Sequence, residues 1–587
     1  MPTRPVPPVL ILLALLGSLP ASALGADIHL TTRPALRRPL AIVPSADGRR
    51  LFVANRVGTL SVVDPLAGRV ESETLIGKRI SSLTALDGDA SRLLATDEEA
   101  GKLLMLDPGI DSVRRCAELS VADTPVQVRT SRDGSLAAVT SLWARRLTLV
   151  SITRDPVPAF GVVRTVDLPF APRELLFLPD GALLVADSHG GQLAIVDVAQ
   201  AKIKLLRKLP GSNIRGLALS PDGKKLLVSH QILTNLAETT HNDIHWGILM
   251  TNLLRWLELA RLYGPEDELL KNSHVHLLGD PGNAASDPAG VAINSSSDVA
   301  VALAGVGQLA LGNEVEYGLR RMKVARRPTA VTFSADGRLV YVANTFADSI
   351  SVVDIKQESL LREIALGPQA EPSVAERGEM LFYDGKLSLE GWMSCHSCHT
   401  DGHTNGHLND NLSDGSFGAP KRVLSLLGTG DTSPWAWKGD IHDLEGQVLQ
   451  SIRTTMLGPE PAPGQVEALT AFIRTLEPPR PQAELVGTLD KAAVERGRKI
   501  FRRQACDECH AGPAFTIGES FDVGLADVLG NSRFNPPSLL GVSQAGPYFH
   551  DGRAATLDEV FIKHRHQLPD PLPKQELGDL LDYLRSL

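Results

Sequence analysis

Two pentapeptides carry the chemistry of this chain. Cys395-His396-Ser397-Cys398-His399 and Cys506-Asp507-Glu508-Cys509-His510 both read Cys-x-x-Cys-His. That spacing matches the c-type haem attachment sequence. Each thiol can form a thioether to a haem vinyl group, and the adjacent His then binds iron. Cys395, Cys398, Cys506 and Cys509 are therefore the attachment residues of two covalently bound haem c groups, with His399 and His510 as proximal ligands. Two other readings stand beside this one. Paired cysteines also build zinc sites, which need four closed ligands. A disulfide within each pair is compatible with an exported chain. The fifth cysteine, Cys116, reads as a buried inert thiol.

The stretch around the motifs is duplicated. Glu376-Arg377-Gly378 precedes the first motif and Glu495-Arg496-Gly497 the second. Ser425-Leu426-Leu427-Gly428 returns as Ser538-Leu539-Leu540-Gly541, and the Pro-aromatic element at Pro434 returns at Pro547, both 113 residues on. The closing segments 469–476 and 580–587 have apolar spacing of three to four, which predicts helices. Two all-α cytochrome c-type domains are expected, near 371–480 and 481–587.

The preceding residues repeat in a different way. Asp-Gly pairs recur at Asp47, Asp87, Asp133, Asp180, Asp222 and Asp336, and Asn294 to Asp298 fits between the last two. Short β-branched runs follow each pair, and several second runs end in Asp, as at Asp64, Asp197 and Asp354. A period of roughly 40 to 45 residues with several strands per unit predicts a β-propeller. Seven units give an all-β seven-bladed propeller over 27–370. One long spacing exposes an insertion near 231–279. It holds His241, His245 and a run from Ile248 to Leu262 that reads as helical. His241 and His245 are i, i+4, a metal-ligand spacing without the intervening Glu of a zinc protease. Two polar residues on a docking helix is the plainer reading, with the insertion packed on the C-terminal half.

At the N-terminus, Arg4, the apolar run 9–16 and small residues at Ala21, Ala23, Gly25 and Ala26 read as a signal peptide over 1–26. The run is shorter than the roughly 20 residues that span a bilayer. An exported, periplasmic protein with no integral membrane segment after cleavage is expected. A composition 43% apolar and 22% charged is that of a folded chain. A net charge of −9 argues against nucleic acid as a partner.

Two resemblances sharpen these readings. Phe52-Val53-Ala54-Asn55 and Tyr341-Val342-Ala343-Asn344 resemble the Tyr-Val-Thr-Asn repeat of a bacterial propeller family, with Ala in place of Thr. The last 210 or so residues resemble the bacterial diheme cytochrome c peroxidases, including relatives that mature amine dehydrogenases. The segment 547–560 and the two Cys-x-x-Cys-His motifs carry this resemblance. It implies peroxide reduction at the N-terminal haem and electron transfer through the C-terminal one. It places Trp437 between the haems and Gln447 in the peroxide pocket. The distal Glu aligns with Leu457, which makes Glu460 the nearest substitute. An interdomain calcium is also implied, but its Asn ligand is Arg422 here. The distal slot of the second domain falls on His564, with His566 two residues away. The equivalent slot of the first is Ser451, and Met456, His403, His407 and His442 are the other candidates for its iron.

The reading that results is a diheme peroxidase-type enzyme fused to a propeller. Its partners would be hydrogen peroxide and a redox protein, such as a small cytochrome or cupredoxin-like donor. The alternative is a non-enzymatic electron carrier or haem-based sensor that docks partners through the propeller.

Overall fold

A computed structural model of the chain describes residues 34–587 apart from 87–89, 110–111 and 154–157. The expected signal peptide and the Asp87-Gly88 turn lie outside the described residues.

The first half is a ring of seven four-stranded antiparallel sheets. They span 39–75, 80–120, 125–167, 172–208, 212–277, 288–323 and 328–365. First strands neighbour one another from blade to blade, and the seventh neighbours the first, so the ring closes. Second strands such as Leu51–Asn55 and Leu183–Asp187 are buried along their whole length. This explains their continuous apolar character, since they are sandwiched between adjacent blades.

The recurrent Asp-Gly pairs are turns with a fixed construction. Ser45 Oγ donates to Asp47 Oδ1, which also accepts from Arg49 N at 3.1 Å, and Gly48 takes φ 67°. The same arrangement recurs at Ser220-Asp222-Gly223 and Ser334-Asp336-Gly337. A side chain at φ > 0 is strained, so glycine follows the capping carboxylate.

Among the described residues no blade borrows a strand from the far end of the chain. The ring is closed instead by Asp348 of the last blade. Its carboxylate accepts from the backbone N–H groups of Arg37 and Arg38 at 2.9 and 2.7 Å. Arg37 also reaches Pro368 O at 2.8 Å.

The 231–279 segment differs from its expected form. Met250–Glu258 is the third strand of the fifth blade, paired along its length with Lys225–Leu233. Near-continuous burial between neighbouring strands and blades has overridden a helix-like apolar pattern. The helical part is α1 (His241–His245) and two 3₁₀ turns, at Leu259–Tyr263 and Glu266–Glu268. Ile244, Leu249 and Met250 share one apolar cluster with Phe382, Trp392 and Met393 of the C-terminal half.

That half contains two helical units with separate cores. The first has α2 (Val374–Phe382), α3 (Cys395–Cys398), α4 (Leu444–Gln450) and α5 (Gln465–Ile473). The second has α6 (Gln482–Leu485), α7 (Lys491–Arg503), α8 (Leu557–Ile562) and α9 (Lys574–Leu584). Each also has a two-residue strand pair, Leu408–Asn409 with Lys421–Arg422 and Phe521–Asp522 with Arg533–Phe534, so neither is purely helical.

The duplication is visible in the backbone. Helices α2 and α5 cross at Gly378, where a Cβ would stand 1.8 Å from Ala468 O. Helices α7 and α9 cross at Gly497, where it would stand 1.9 Å from Asp579 O. Isolated bridges join Trp435 to Ile441 and Tyr548 to Ala554, at the same offset as the Ser-Leu-Leu-Gly elements. The repeated Glu-Arg-Gly triplet thus marks a close helix crossing in both units.

Candidate functional site

The first Cys-x-x-Cys-His motif is pressed against the propeller. Ser394 and Ser397 donate to the carboxylate of Asp287, on the loop leading into the sixth blade, at 2.5 and 2.6 Å. Asn213 Nδ2 approaches the carbonyls of His396 and Ser397 at 3.4 and 3.3 Å. Arg173 and Arg215 each reach Asp401 at 2.8 Å. Asp401 N in turn donates to His396 Nδ1 at 2.9 Å. Burial would raise the Asp401 pKa, but these two guanidiniums hold it well below the usual carboxylate range. Glu379 of α2 pairs with Arg56 at 2.6 Å and Arg38 at 3.5 Å, and Arg327 lies 3.3 Å over the Tyr383 ring.

With its inner residues held by the propeller, the motif turns Cys395, Cys398 and His399 toward a cavity of about 280 Å³. His399 Nδ1 donates to Leu424 O at 2.8 Å. This bond fixes the tautomer and leaves Nε2 as the ligating nitrogen. Burial lowers the His399 pKa to about 4, so the ring is neutral at neutral pH. Burial also pushes Cys395 and Cys398 up to about 12, so both are thiols, not thiolates.

Gln447, Ser451 and Met456 line the same cavity. Gln447 Nε2 donates to Ser451 Oγ at 3.1 Å, while its Oε1 is buried without a partner. After Gln450 the chain widens to a π-turn at Ser451–Thr455, and Met456 is buried at its end. Glu460 does not join them. Its side chain is 67% exposed and pairs with Arg453 at 2.5 Å. The acid–base role expected of it is therefore corrected. The turn after Met456 carries the chain outward before position 460 is reached, with Leu457 at φ 45°.

His403 lines this cavity and also meets Trp143 and His189 of the propeller, while His407 turns to the propeller. His403 bonds Ser425 Oγ and Gln544 O, and His407 approaches Gly211 O at 3.3 Å. His241 and His245 stack on one face of α1, and His245 pairs with Glu390 at 2.8 Å. Among the described residues no group of three or more His, Cys, Asp or Glu converges as a metal site. All five cysteines are free thiols. Cys395, Cys398 and His399 line one cavity, a donor set that fits haem attachment.

The second motif is more open. Cys506–Glu508 forms a 3₁₀ turn, with Asp507 and Glu508 exposed. His510 Nδ1 pairs with Phe515 O at 3.1 Å. The Pro537 carbonyl, equivalent to Leu424 in the repeat, also bonds His510. His564 and His566 both lie against the Phe549 ring, at 5.4 and 5.5 Å. His564 Nε2 and His566 Nδ1 are buried without partners. Burial and the neighbouring His510 together lower the His566 pKa to about 4. His566 lies two residues past the slot selected by alignment. Arg565 and Gln567 take φ 47° and 50° on either side of it.

Trp437 sits on the seam between the units. Its Nε1 donates to Arg422 O at 2.8 Å, and its own carbonyl accepts from Asn535 N at 2.7 Å. Its ring meets Phe534 and His550 edge-on at 6.5 and 6.3 Å. The same seam holds two buried cations. Lys421 Nζ bridges Asp414 at 2.5 Å and Asp527 at 3.0 Å. Arg422 reaches the carbonyls of Phe549 and Ala545, each at 3.3 Å. Carbonyl and carboxylate groups that could serve a divalent cation are occupied by side-chain cations. The residues present do not fit calcium here.

Asp287, Asn213, Arg173 and Arg215 were not among the residues singled out in the sequence. They lie over 100 residues from the motif they hold, and they belong to otherwise ordinary blades. No local pattern distinguishes them.

Comparison with known proteins agrees with this geometry. Residues 372–480 match the family described as di-haem cytochrome c peroxidase. The chain thus joins a seven-bladed propeller to a region similar to the di-haem cytochrome c peroxidases. It is 29% identical over 270 residues to hydrazine synthase subunit gamma of Kuenenia stuttgartiensis, covering 36% of this chain and 76% of that protein. It is 27% identical over 271 residues to cytochrome c551 peroxidase of Nitrosomonas europaea, covering 36% and 79%. It is 26% identical over 283 residues to the methylamine utilization protein MauG of Methylorubrum extorquens, covering 38% and 80%.

Proposed function

We propose that the protein is an exported diheme c-type cytochrome of the peroxidase type, which reduces hydrogen peroxide or uses it to oxidise a partner protein. The observation that carries this reading is the first cavity, which has Cys395, Cys398 and His399 on one wall and the unpartnered amide oxygen of Gln447 in its lining. When bound there, haem c supplies an iron that exchanges electrons and takes up a peroxide oxygen.

The chain's own residues do the rest. His399 presents a neutral imidazole whose orientation is fixed by Leu424 O. Gln447 can accept a hydrogen bond from a peroxide O–H, which orients the substrate. An amide does not carry protons at neutral pH, so Gln447 positions and does not act as general acid. Asp414 is the carboxylate lining the cavity, and it is committed to Lys421. Water must therefore deliver the proton to the leaving oxygen. This favours slow peroxide turnover and oxidation of a partner over rapid peroxide removal. Trp437, on the seam, is the relay between the two units. Electrons from a small cytochrome or cupredoxin-like donor would enter at the second motif, whose Cys506–Glu508 turn is the more exposed.

A second reading, electron carrier or haem-based sensor, is favoured by Met456, because a thioether buried in the same lining can close the iron. Stopped-flow mixing of the purified holoprotein with peroxide, followed by electron paramagnetic resonance, separates the two. A high-spin ferric signal consumed by stoichiometric peroxide supports the enzyme. Two low-spin signals unchanged by peroxide support the carrier. Mass spectrometry of the same sample should show two haem additions and a chain shortened at the N-terminus.

A further inference from the structure

A second cavity lies apart from both Cys-x-x-Cys-His motifs, where the propeller meets the two helical units. It has a volume of about 820 Å³. That is within the range of pockets that hold small organic molecules. Trp143, Arg145 and His189 come from the propeller, Asn405 from the first unit, and Ser543 and Gln544 from the second. The His403 ring lines both this cavity and the first one.

The lining has an unusual property. Arg145 Nε, His189 Nε2, Asn405 Nδ2, Ser543 Oγ and Gln544 Oε1 are all buried without a hydrogen-bond partner. His189, Asn405 and Gln544 are only 7%, 4% and 3% exposed. Buried polar groups are normally satisfied, because leaving one unpaired forfeits its hydration. These five atoms belong to residues from three parts of the fold that line one space. For Asn405 and Gln544 the other end of the side-chain amide is engaged, which fixes the free atom. Asn405 Oδ1 accepts from His407 N at 3.0 Å, and Gln544 Nε2 donates to Trp143 O at 2.8 Å.

The chemistry of the free atoms defines a ligand. Arg145 Nε and Asn405 Nδ2 can only donate, and Gln544 Oε1 can only accept. Ser543 and a neutral His189 can do either, and burial holds the His189 pKa well below its usual value. Acidic groups nearby are already occupied. Asp167 binds Arg146, Asp558 binds Arg585, and Asp187 accepts the backbone N–H of His189. Lys208 stands exposed at the rim.

We propose that this cavity binds a small organic carboxylate that also carries hydroxyl groups. The carboxylate accepts from Arg145 and Asn405. A hydroxyl donates to Gln544 Oε1, and Ser543 and His189 complete the set. The site exists only when the propeller and both helical units are docked, and it does not depend on peroxide chemistry.

Isothermal titration of the holoprotein with glucuronate, glucose and sulfate tests this. Glucuronate should bind once per chain, at least about tenfold more tightly than glucose, as a charge-assisted pair requires. Asn405→Asp keeps the Oδ1 acceptor and replaces the free N–H₂ by a carboxylate oxygen. It should weaken glucuronate at least about tenfold while leaving the haem absorbance unchanged. Arg145→Gln, which removes the charge, should do the same and stands in if Asn405→Asp does not fold. Equal affinity for glucuronate and glucose, sulfate binding as tight as glucuronate, or unchanged affinity in a folded variant would overturn the proposal. So would a crystal soaked in glucuronate that shows only ordered water among the five atoms.

Discussion

Asp287 accepts a 2.6 Å hydrogen bond from Ser397, a residue inside the first Cys-x-x-Cys-His motif and 110 positions away in the chain. The propeller therefore grips the turn between the two cysteines. Asp287→Ala leaves Ser394 and Ser397 without their partner. It should cost about 3 kcal/mol, the scale of hydrogen bonds to a buried acid group. Urea denaturation of the holoprotein measures the loss. The spectrum of the first haem should broaden while that of the second stays the same. Equal broadening of both would show that Asp287 acts on global stability alone.

The helix crossings at Gly378 and Gly497 leave no space for a methyl group. Gly378→Ala and Gly497→Ala should each destabilise by about 3 kcal/mol, because backbone carbonyls must move. Gly487→Ala is the control for positive φ alone, since nothing lies within 4 Å of its Cβ position. Thermal melts of the three variants should rank the two crossing glycines well below the control.

Burial and the neighbouring His510 together lower the His566 pKa to about 4. His566→Ala should therefore remove one low-spin signal in electron paramagnetic resonance, and His564→Ala should preserve it. The reverse result would assign the ligand to His564, the slot picked by alignment.

Met456→Ala opens the lining opposite Gln447. Peroxide should then react faster with the first haem if the thioether closes its iron. An unchanged rate means that the site is already open. Gln447→Leu should slow peroxide binding by roughly tenfold, the scale of one lost hydrogen bond in a buried site.

The seam between the helical units carries its own cations. Added calcium or a chelator should change neither the melting temperature nor the haem spectra. The seam should respond to acid instead. Burial raises the Asp527 pKa, but hydrogen bonds from Asn531 and Lys421 outweigh this and lower it from 3.8 to about 2. The folded value lies below the unfolded one. Its contribution is complete above the ordinary carboxylate pKa and is lost as pH falls through about 2. Asp527→Asn should flatten that limb of an acid-unfolding curve monitored by tryptophan fluorescence.

The propeller was legible because its signals are local. Asp-Gly turns and strands ending in Asp each report a bond made within about five residues, as at Asp47 and Asp354. The haem motifs were legible for the same reason. The Ile248–Leu262 run misled because its apolar spacing suits a helix, while its partners, Lys225–Leu233, lie before it in the chain. Glu460 misled because alignment distance ignores the outward turn at Leu457. The contacts of Asp287, Asn213 and Arg215 with the motif could not be read at all. They are set by how two bodies dock, and docking leaves no period in a sequence.

Arg38 has two duties. Its backbone N–H helps Asp348 close the ring, and its guanidinium meets Glu379 of α2 at 3.5 Å. The clasp of the propeller and the first docking contact of the haem half are thus one joint. A pull on the C-terminal half is transmitted straight into the closure of the ring, and a loosened ring releases the helix that leads to the first haem. The closure of the ring and the seating of α2 thus pass through one residue, as the tongue of a buckle passes through its frame.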